Sequence, residues 1–200
     1  LRNEPVRYRS KRFGWRTCAV SPSCCVGRVM AVFVVGDPGS NWRAGPGESL
    51  WRGRARWLRL IKMCRDAGAD ALKGQYLRRT VYPEGSKEAN LVAEYEWPPE
   101  WLPWLKETCE EHGIEWMCTV YEPEHVPLID PYVKRWKIAS FESQRPDLLR
   151  AVAATGKPLI ISTGMTRAYE MSRIIHDLHD FAAYPDVTYL HCVSAYPAKA

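Results

Sequence analysis

The chain has no run approaching the roughly 18 uninterrupted apolar residues that a membrane-spanning helix needs, so no membrane partner is expected. It also has no Cys-x-x-Cys pair and no Cys/His alternation of zinc-site spacing. Of its seven cysteines, Cys18, Cys24 and Cys25 lie near the amino terminus, and Cys64, Cys109, Cys118 and Cys192 are scattered among apolar residues. These four read as small buried hydrophobes in a reducing compartment, with the cytoplasm as the expected location. A basic body is lacking too. The net charge of +5 arises in residues 1–29, where seven Lys or Arg against one acid give +6 and leave −1 for the remainder. A basic arm for nucleic acid and an export or transit signal are two readings of such a leader. Against the second, it has no continuous apolar segment, and Cys24-Cys25 is an odd cleavage site. The first Met is Met30, directly before an apolar, strand-like run. Residues 1–29 are therefore expected to be a poorly packed leader or extension without a fold of its own, and nucleic acid is not an expected partner.

Past Met30, short β-branched runs alternate with helical patterns, the signature of a parallel sheet. Strand-like segments are expected at 31–35, 69–75, 114–118, 133–139, 158–162 and 187–192. The first helix is the clearest, with Leu50, Arg54, Trp57, Leu58, Ile61 and Cys64 at steps of three and four and Gly68 as its stop. Its other face carries Arg52, Arg56, Arg59 and Lys62, a solvated exterior. A second helix starts near Pro98-Pro99 and ends at Gly113, and two more are expected over 146–154 and 169–181. Residues 78–96 read as a long polar loop, of a length that is often functional. About six βα units are counted where a closed (β/α)8 TIM-barrel needs eight, so residues 30–200 are expected to be an incomplete barrel, as of a truncated product.

Three polar sets stand at strand ends: Lys137-Ile138-Ala139-Ser140-Phe141-Glu142, Ser162-Thr163-Gly164-Met165, and Leu190-His191-Cys192-Val193-Ser194-Ala195-Tyr196-Pro197. They recur about every 25 residues, the βα repeat, and put cations, hydroxyls and a carboxylate on one rim, where such barrels do chemistry. Glu142, beside Lys137 and Ser140, is the leading acid or base, with a neighbouring cation expected to hold it ionised. Its bland alternative is a salt bridge to Lys137 or Arg145.

With Ala69-Asp70-Ala71-Leu72-Lys73-Gly74-Gln75 and Thr155-Gly156-Lys157-Pro158 added, the ordered set resembles the sialic acid (N-acetylneuraminate) synthase family. That resemblance implies condensation of phosphoenolpyruvate with an N-acyl hexosamine-derived aldehyde to a nonulosonic acid, with release of phosphate. Related alternatives are a deoxy-sugar-phosphate synthase and a non-catalytic fragment. By the same resemblance Lys73 and Lys137 match lysines that grip phosphoenolpyruvate, and Thr119, Ser140 and Ser162 match its hydroxyl contacts. Gln75, Ser194 and Tyr196 match residues facing the acceptor sugar, although the family commonly has Asn at the position of Ser194. Asp37-Pro38-Gly39-Ser40-Asn41 aligns with the family's Glu-Ile-Gly-x-Asn, making Asp37 a second catalytic candidate, and Trp42 replaces the usual His of that motif. A divalent metal, typically manganese, is implied, with ligands beyond residue 200. His191 is read as a barrel-interior histidine and not a ligand. The partners expected are phosphoenolpyruvate and an amino-sugar aldehyde, with a homodimer as the oligomer considered. The chain alone is expected to bind phosphoenolpyruvate weakly without completing the cycle.

Overall fold

A computed structural model describes residues 32–45, 47–181 and 186–195; the leader 1–29 and Tyr196 lie outside them. Among the described residues six strands form one parallel sheet in chain order: β1 (Val35–Gly36), β2 (Ala71–Tyr76), β3 (Glu115–Val120), β4 (Trp136–Ile138), β5 (Leu159–Ser162) and β6 (Val187–Leu190). The connections carry α1 (Leu50–Asp66), α2 (Lys87–Ala93), α3 (Trp101–Glu111), α4 (Val126–Ile129), α5 (Pro146–Ala153) and α6 (Ala168–Phe181). This is the (β/α)8 TIM-barrel type, with six of the eight strands that close a barrel. No helix among the described residues is long and apolar enough to cross a membrane.

The two-residue period of a strand sorts the side chains to opposite faces. Leu72 and Tyr76 of β2, Trp116, Cys118 and Val120 of β3, Trp136 and Ile138 of β4, and Leu159 and Ile161 of β5 all join the apolar core. That core lies between the sheet and the helices. The alternate residues carry the polar groups described below, so one parity rule separates stability from chemistry.

Helix α1 starts where the Ser49 hydroxyl accepts from the Arg52 N–H at 3.5 Å, and it ends before Gly68, whose φ of 79° suits glycine alone among common residues. Gly53, Trp57 and Ile61, each four residues apart, form its buried stripe. Gly53 is required there because a Cβ would stand 2.7 Å from Cζ3 of Trp42. The expected stripe was too wide at one end: Leu50 and Arg54 are exposed, and the Arg54 guanidinium lies over the Trp104 ring at 4.3 Å. A cation stacked on an indole covers apolar surface without entering the core.

Strand β1 is shorter than the apolar run that announced it. Val34 N–H is taken by the Asp70 carboxylate at 2.7 Å, and Val34 O accepts from the Asp70 and Ala71 N–H groups, so ladder pairing begins only at Val35↔Ala71. Val32, Phe33 and Val34 are exposed. Residues 78–96 also depart from the expected loop. A 3₁₀ turn (Arg79–Val81) and α2 fill it, with the Ser86 hydroxyl accepting from the Ala89 N–H at 3.0 Å. Seven helical residues are too few to show a period in sequence.

Thr155-Gly156-Lys157-Pro158 is structural. Thr155 Oγ1 accepts from the Trp136 indole N–H at 3.0 Å, Gly156 takes a left-handed φ of 70°, and Lys157 pairs with Asp130 at 2.8 Å. The motif turns α5 into β5 and clamps it to the β3–β4 connection.

Candidate active site

The alternate face of the sheet opens on a cavity of about 310 Å³. Its walls are pairs of residues two apart at successive strands: Val35 and Asp37, Lys73 and Gln75, Thr119 and Tyr121, Lys137 and Ala139, Ile160 and Ser162, Leu190 and Cys192, with Met117 and Ser140 added. Register aligns them in steps, with Gln75 beside Thr119, Thr119 beside Lys137, Lys137 beside Ile160, and Ser162 beside Leu190. Parallel strands in regular register therefore converge groups that are more than 100 residues apart in sequence.

Two lysines dominate. Lys73 donates to Asp37 Oδ2 at 2.9 Å and to Thr119 Oγ1 at 3.4 Å. Lys137 donates to Ser162 Oγ at 2.7 Å and to its neighbour Ile138 O at 2.8 Å. Both lysines are more than nine-tenths buried. An ammonium has three N–H donors, so each retains one for a ligand. Burial drives the Lys137 pKa down to about 8, and the charge of Lys73 pushes the same way. One carboxylate against two ammonium groups leaves the cavity positive, a condition that favours an anion with several oxygens.

The third side of the cavity is built from hydroxyls and a thiol. Ser140 Oγ accepts from the Gly164 N–H at 3.1 Å and lies 4.0 Å from Cys192 Sγ. Burial raises the Cys192 pKa, but the Ser162 and Ser140 hydroxyls and the Thr163 and Gly164 backbone together outweigh it, and the net shift is downward. Gly164 admits this approach: a Cβ on it would stand 2.5 Å from Ser194 Oγ and 2.8 Å from Ser140 Oγ.

The sequence model of the NeuB family matches residues 60–200. The chain belongs to the NeuB family. It is 34% identical over 140 residues to an uncharacterised protein of Methanocaldococcus jannaschii, covering 69% of this chain and 41% of that protein. It is 30% identical over 158 residues to a pseudaminic acid synthase of Campylobacter jejuni, covering 70% of this chain and 45% of the enzyme. The crystal structure of an N-acetylneuraminic acid synthetase of Leptospira borgpetersenii, in complex with citrate, superposes with a TM-score of 0.74 at 28% identity, over 84% of this chain and 56% of that one. The chain thus spans less than half the length of these two curated relatives.

Within the NeuB frame, the fold brings together Asp37, Lys73, Gln75, Thr119, Lys137, Ser140 and Ser162 on one cavity. Glu142 is not on its wall. It opens a 3₁₀ turn (Glu142–Gln144) just past β4. Burial raises its pKa above the ordinary carboxylate value, and the nearby Arg145 and Lys137 charges only partly offset that rise. The bland ion pair is absent as well among the described residues: Arg145 forks onto Glu122 at 2.9 and 3.0 Å and pairs with Asp147 at 2.7 Å.

Two expectations just past β6 are corrected. His191 is exposed and, one residue out of step with Leu190 and Cys192, does not line the cavity. Cys192 is on the cavity and is no inert core thiol, unlike Cys109 and Cys118, whose burial raises both to about 12. Tyr121 was missed, although it lies two residues beyond Thr119 and the strand period alone would have found it. Its own burial raises its pKa.

Ser194 stands beside Gly164 with a φ of 55°, a left-handed conformation that Asn tolerates several-fold better than Ser. Ser194→Asn is expected to stabilise the protein by about 0.5–1 kcal/mol, since it removes a conformational penalty at an exposed position. Thermal denaturation checks it; an unchanged or lowered midpoint would show that the backbone there carries no strain.

Proposed function

We propose that the protein condenses phosphoenolpyruvate with an N-acyl hexosamine-derived aldehyde to give a nonulosonic acid and phosphate. The observation that carries this reading is the pair of buried ammonium groups, Lys73 and Lys137, on one cavity with Thr119, Ser140 and Ser162. Phosphoenolpyruvate presents a phosphate and a carboxylate on a three-carbon frame, and two fixed cations with interleaved hydroxyls match two anionic ends. Lys137 and Ser162 are assigned to one end, Lys73 and Thr119 to the other.

In the proposed reaction the enol carbon C3 bonds to the aldehyde carbon, whose oxygen takes a proton. Water then adds at C2, and phosphate departs with its bridging oxygen as the C–O bond breaks and the ketone forms. Asp37, held by Lys73 at 2.9 Å on the cavity wall, is the carboxylate placed to exchange a proton there. Glu142, half-buried with a raised pKa, is assigned a supporting role outside the cavity wall. Gln75 at the cavity edge, with Ser194 and Tyr196 carried by family resemblance, is assigned to the sugar. No three His, Cys, Asp or Glu side chains cluster to hold a metal among the described residues. These residues do not fit a metal centre by themselves; a manganese requirement is part of the proposal.

Calorimetric titration with phosphoenolpyruvate tests the site. Lys73→Ala and Lys137→Ala are each expected to weaken binding at least tenfold, as loss of a charge-assisted contact does; equal affinity in wild type and both variants would overturn the assignment. The pH dependence has a definite sign. Lys137 is protonated below about 8 and loses its charge above it. The phosphate group is already doubly ionised above about 6. Affinity is therefore expected to be flat from pH 7 to near 8 and then to fall by up to about tenfold per unit. A profile that stays flat to pH 9.5 would remove Lys137 from the anion contact.

A further inference from the structure

The outer faces of α1 and α3 carry opposite charge in matching positions. α1 bears Arg52, Arg59 and Lys62, and α3 with the residue before it bears Glu100, Glu107 and Glu110, all six exposed. Each acid lies 48 residues beyond one cation, the same separation that relates the buried residues Gly53, Trp57 and Ile61 of α1 to Trp101, Leu105 and Cys109 of α3. We propose that this surface pairs with the same surface of a second copy of the chain, α1 of each copy lying on α3 of the other.

Equal spacing sets the cations and the acids at the same angle from their buried stripes, so both rows point outward. Glu100 shares the phase because its backbone is already helical, with φ −63° and ψ −11°. β1, β2 and β3 are parallel, so the helices that follow the first two of them run side by side in one direction. Contact fixes their level: a Cβ on Gly53 would meet Cη2 of Trp101 at 3.6 Å. Arg52 therefore stands level with Glu100, Arg59 with Glu107 and Lys62 with Glu110, along rows of about 15 Å. Within one copy the rows do not neutralise each other. The ion pairs of the two helices are Arg56–Glu48, Arg65–Asp66 and an exposed Lys106–Glu110 pair at 3.4 Å. Among the described residues Arg52, Arg59, Lys62, Glu100 and Glu107 make no ion pair.

A two-fold axis between the helices and parallel to them carries α1 onto α3 of the second copy without changing level. Every cation then faces an acid, and symmetry repeats each pair. A two-fold running across the helices would set α1 on α1, cation on cation, so charge selects between the two orientations. Ala55 and Pro103, short, exposed and also 48 residues apart, let the helices approach. Trp51 is 77% exposed and Met63 58%, and they flank the cation row. Trp51 stands level with Pro99 of the second copy, which would cover an indole otherwise left in water. Exposed ion pairs hold little by themselves, so the apolar contacts supply adhesion and the charges set the register. The acids of α3, beside the cations, disfavour an anionic membrane as the occupant of this face.

Sedimentation velocity and light scattering on the full chain test the pairing. Wild type is expected to dimerise in the micromolar range, and a rise from about 50 to about 500 mM salt to weaken the dimer about tenfold or more. Arg59→Glu with Lys62→Glu, and separately Glu107→Lys with Glu110→Lys, are each expected to be monomeric, since two pairs in each row become like-charged. An equimolar mixture of the two variants is expected to regain the dimer mass, because each reversed α1 then meets a reversed α3. Neither misfolding nor an interface elsewhere gives that recovery. If circular dichroism shows that a double variant does not fold, the milder Arg59→Gln with Lys62→Gln takes its place, with association expected to weaken about tenfold. A wild type that stays monomeric at high micromolar concentration, a dimer that survives both reversals, a mixture that stays monomeric or a species larger than two overturns the proposal. So does a monomer that binds phosphatidylserine vesicles through Arg59 and Lys62, which would assign this face to a membrane.

Discussion

Lys137→Met is expected to make the protein more stable and to weaken its affinity for a phosphate-bearing anion. In the folded chain the Lys137 pKa lies at about 8 against an ordinary 10.5, because the ammonium is buried and faces Lys73. That difference is a folding penalty of about 3 kcal/mol at neutral pH. Replacing the ammonium by an apolar group of similar shape removes the penalty and forfeits two hydrogen bonds, to Ser162 Oγ and Ile138 O, worth about 1 kcal/mol each. The net gain is about 1 kcal/mol, a rise of roughly 2–4 °C in melting temperature. Anion affinity should fall about a hundredfold with the loss of a charge-assisted contact in a low-dielectric site. A second readout isolates the cause. Between about 8 and 10.5 the unfolded chain binds more protons at this residue than the folded one, so wild-type stability rises with pH across that window. The variant should lose that rise, as measured by urea denaturation. A variant less stable than wild type that still binds phosphoenolpyruvate would show that Lys137 is a structural cation.

Gly74→Ala is expected to destabilise the fold by about 3 kcal/mol. Gly74 lies on β2 between Lys73 and Gln75, but its open side faces the helices. A Cβ there would fall on the Trp116 ring edge, closer than real Cβ contacts come, with the next ring atom at 3.0 Å. Trp116 cannot retreat: it is 2% exposed and meets Trp57 and Trp97 edge-on at centroid distances of 5.6 and 6.3 Å. Its indole N–H has no hydrogen-bond partner among the described residues, so Trp116→Phe loses no bond to them and frees space. Denaturation of the two single variants and the double variant should give a favourable coupling of at least about 1 kcal/mol. Additive losses would mean that the glycine serves β2 in some way other than by admitting Trp116.

The alternation of apolar runs and helical patterns was legible because each βα unit writes both periods locally, two for the strand and 3.6 for the helix. It located five of the six strands to within a few residues. β1 was overdrawn, since whether Val32, Phe33 and Val34 enter a ladder depends on what the Asp70 carboxylate and backbone do with Val34. Lys73, Gln75, Thr119, Lys137, Ser140 and Ser162 were nameable because their ordered motifs resemble those of a known family, and strand parity then explains why they share a face. Tyr121 and Cys192 followed the same parity and were passed over, one for want of a motif and one because cysteine is so often a core residue.

By itself the sequence determined the architecture, the family and the lysine-hydroxyl set, since all of these are carried by short-range pattern and ordered motif. The tertiary structure alone decided the rest. It placed Asp37 on Lys73, moved Glu142 off the cavity wall by turning the chain into a 3₁₀ turn past β4, and set Arg145 on Glu122 and Asp147. It lowered the Lys137 pKa by burying the ammonium, with the Lys73 charge beside it acting in the same direction. It also joined the segment after β1 to the end of α2 through the Arg43 guanidinium and Glu94 O, 51 residues apart in sequence. Burial and charge proximity are properties of three-dimensional distance, and no local pattern encodes them.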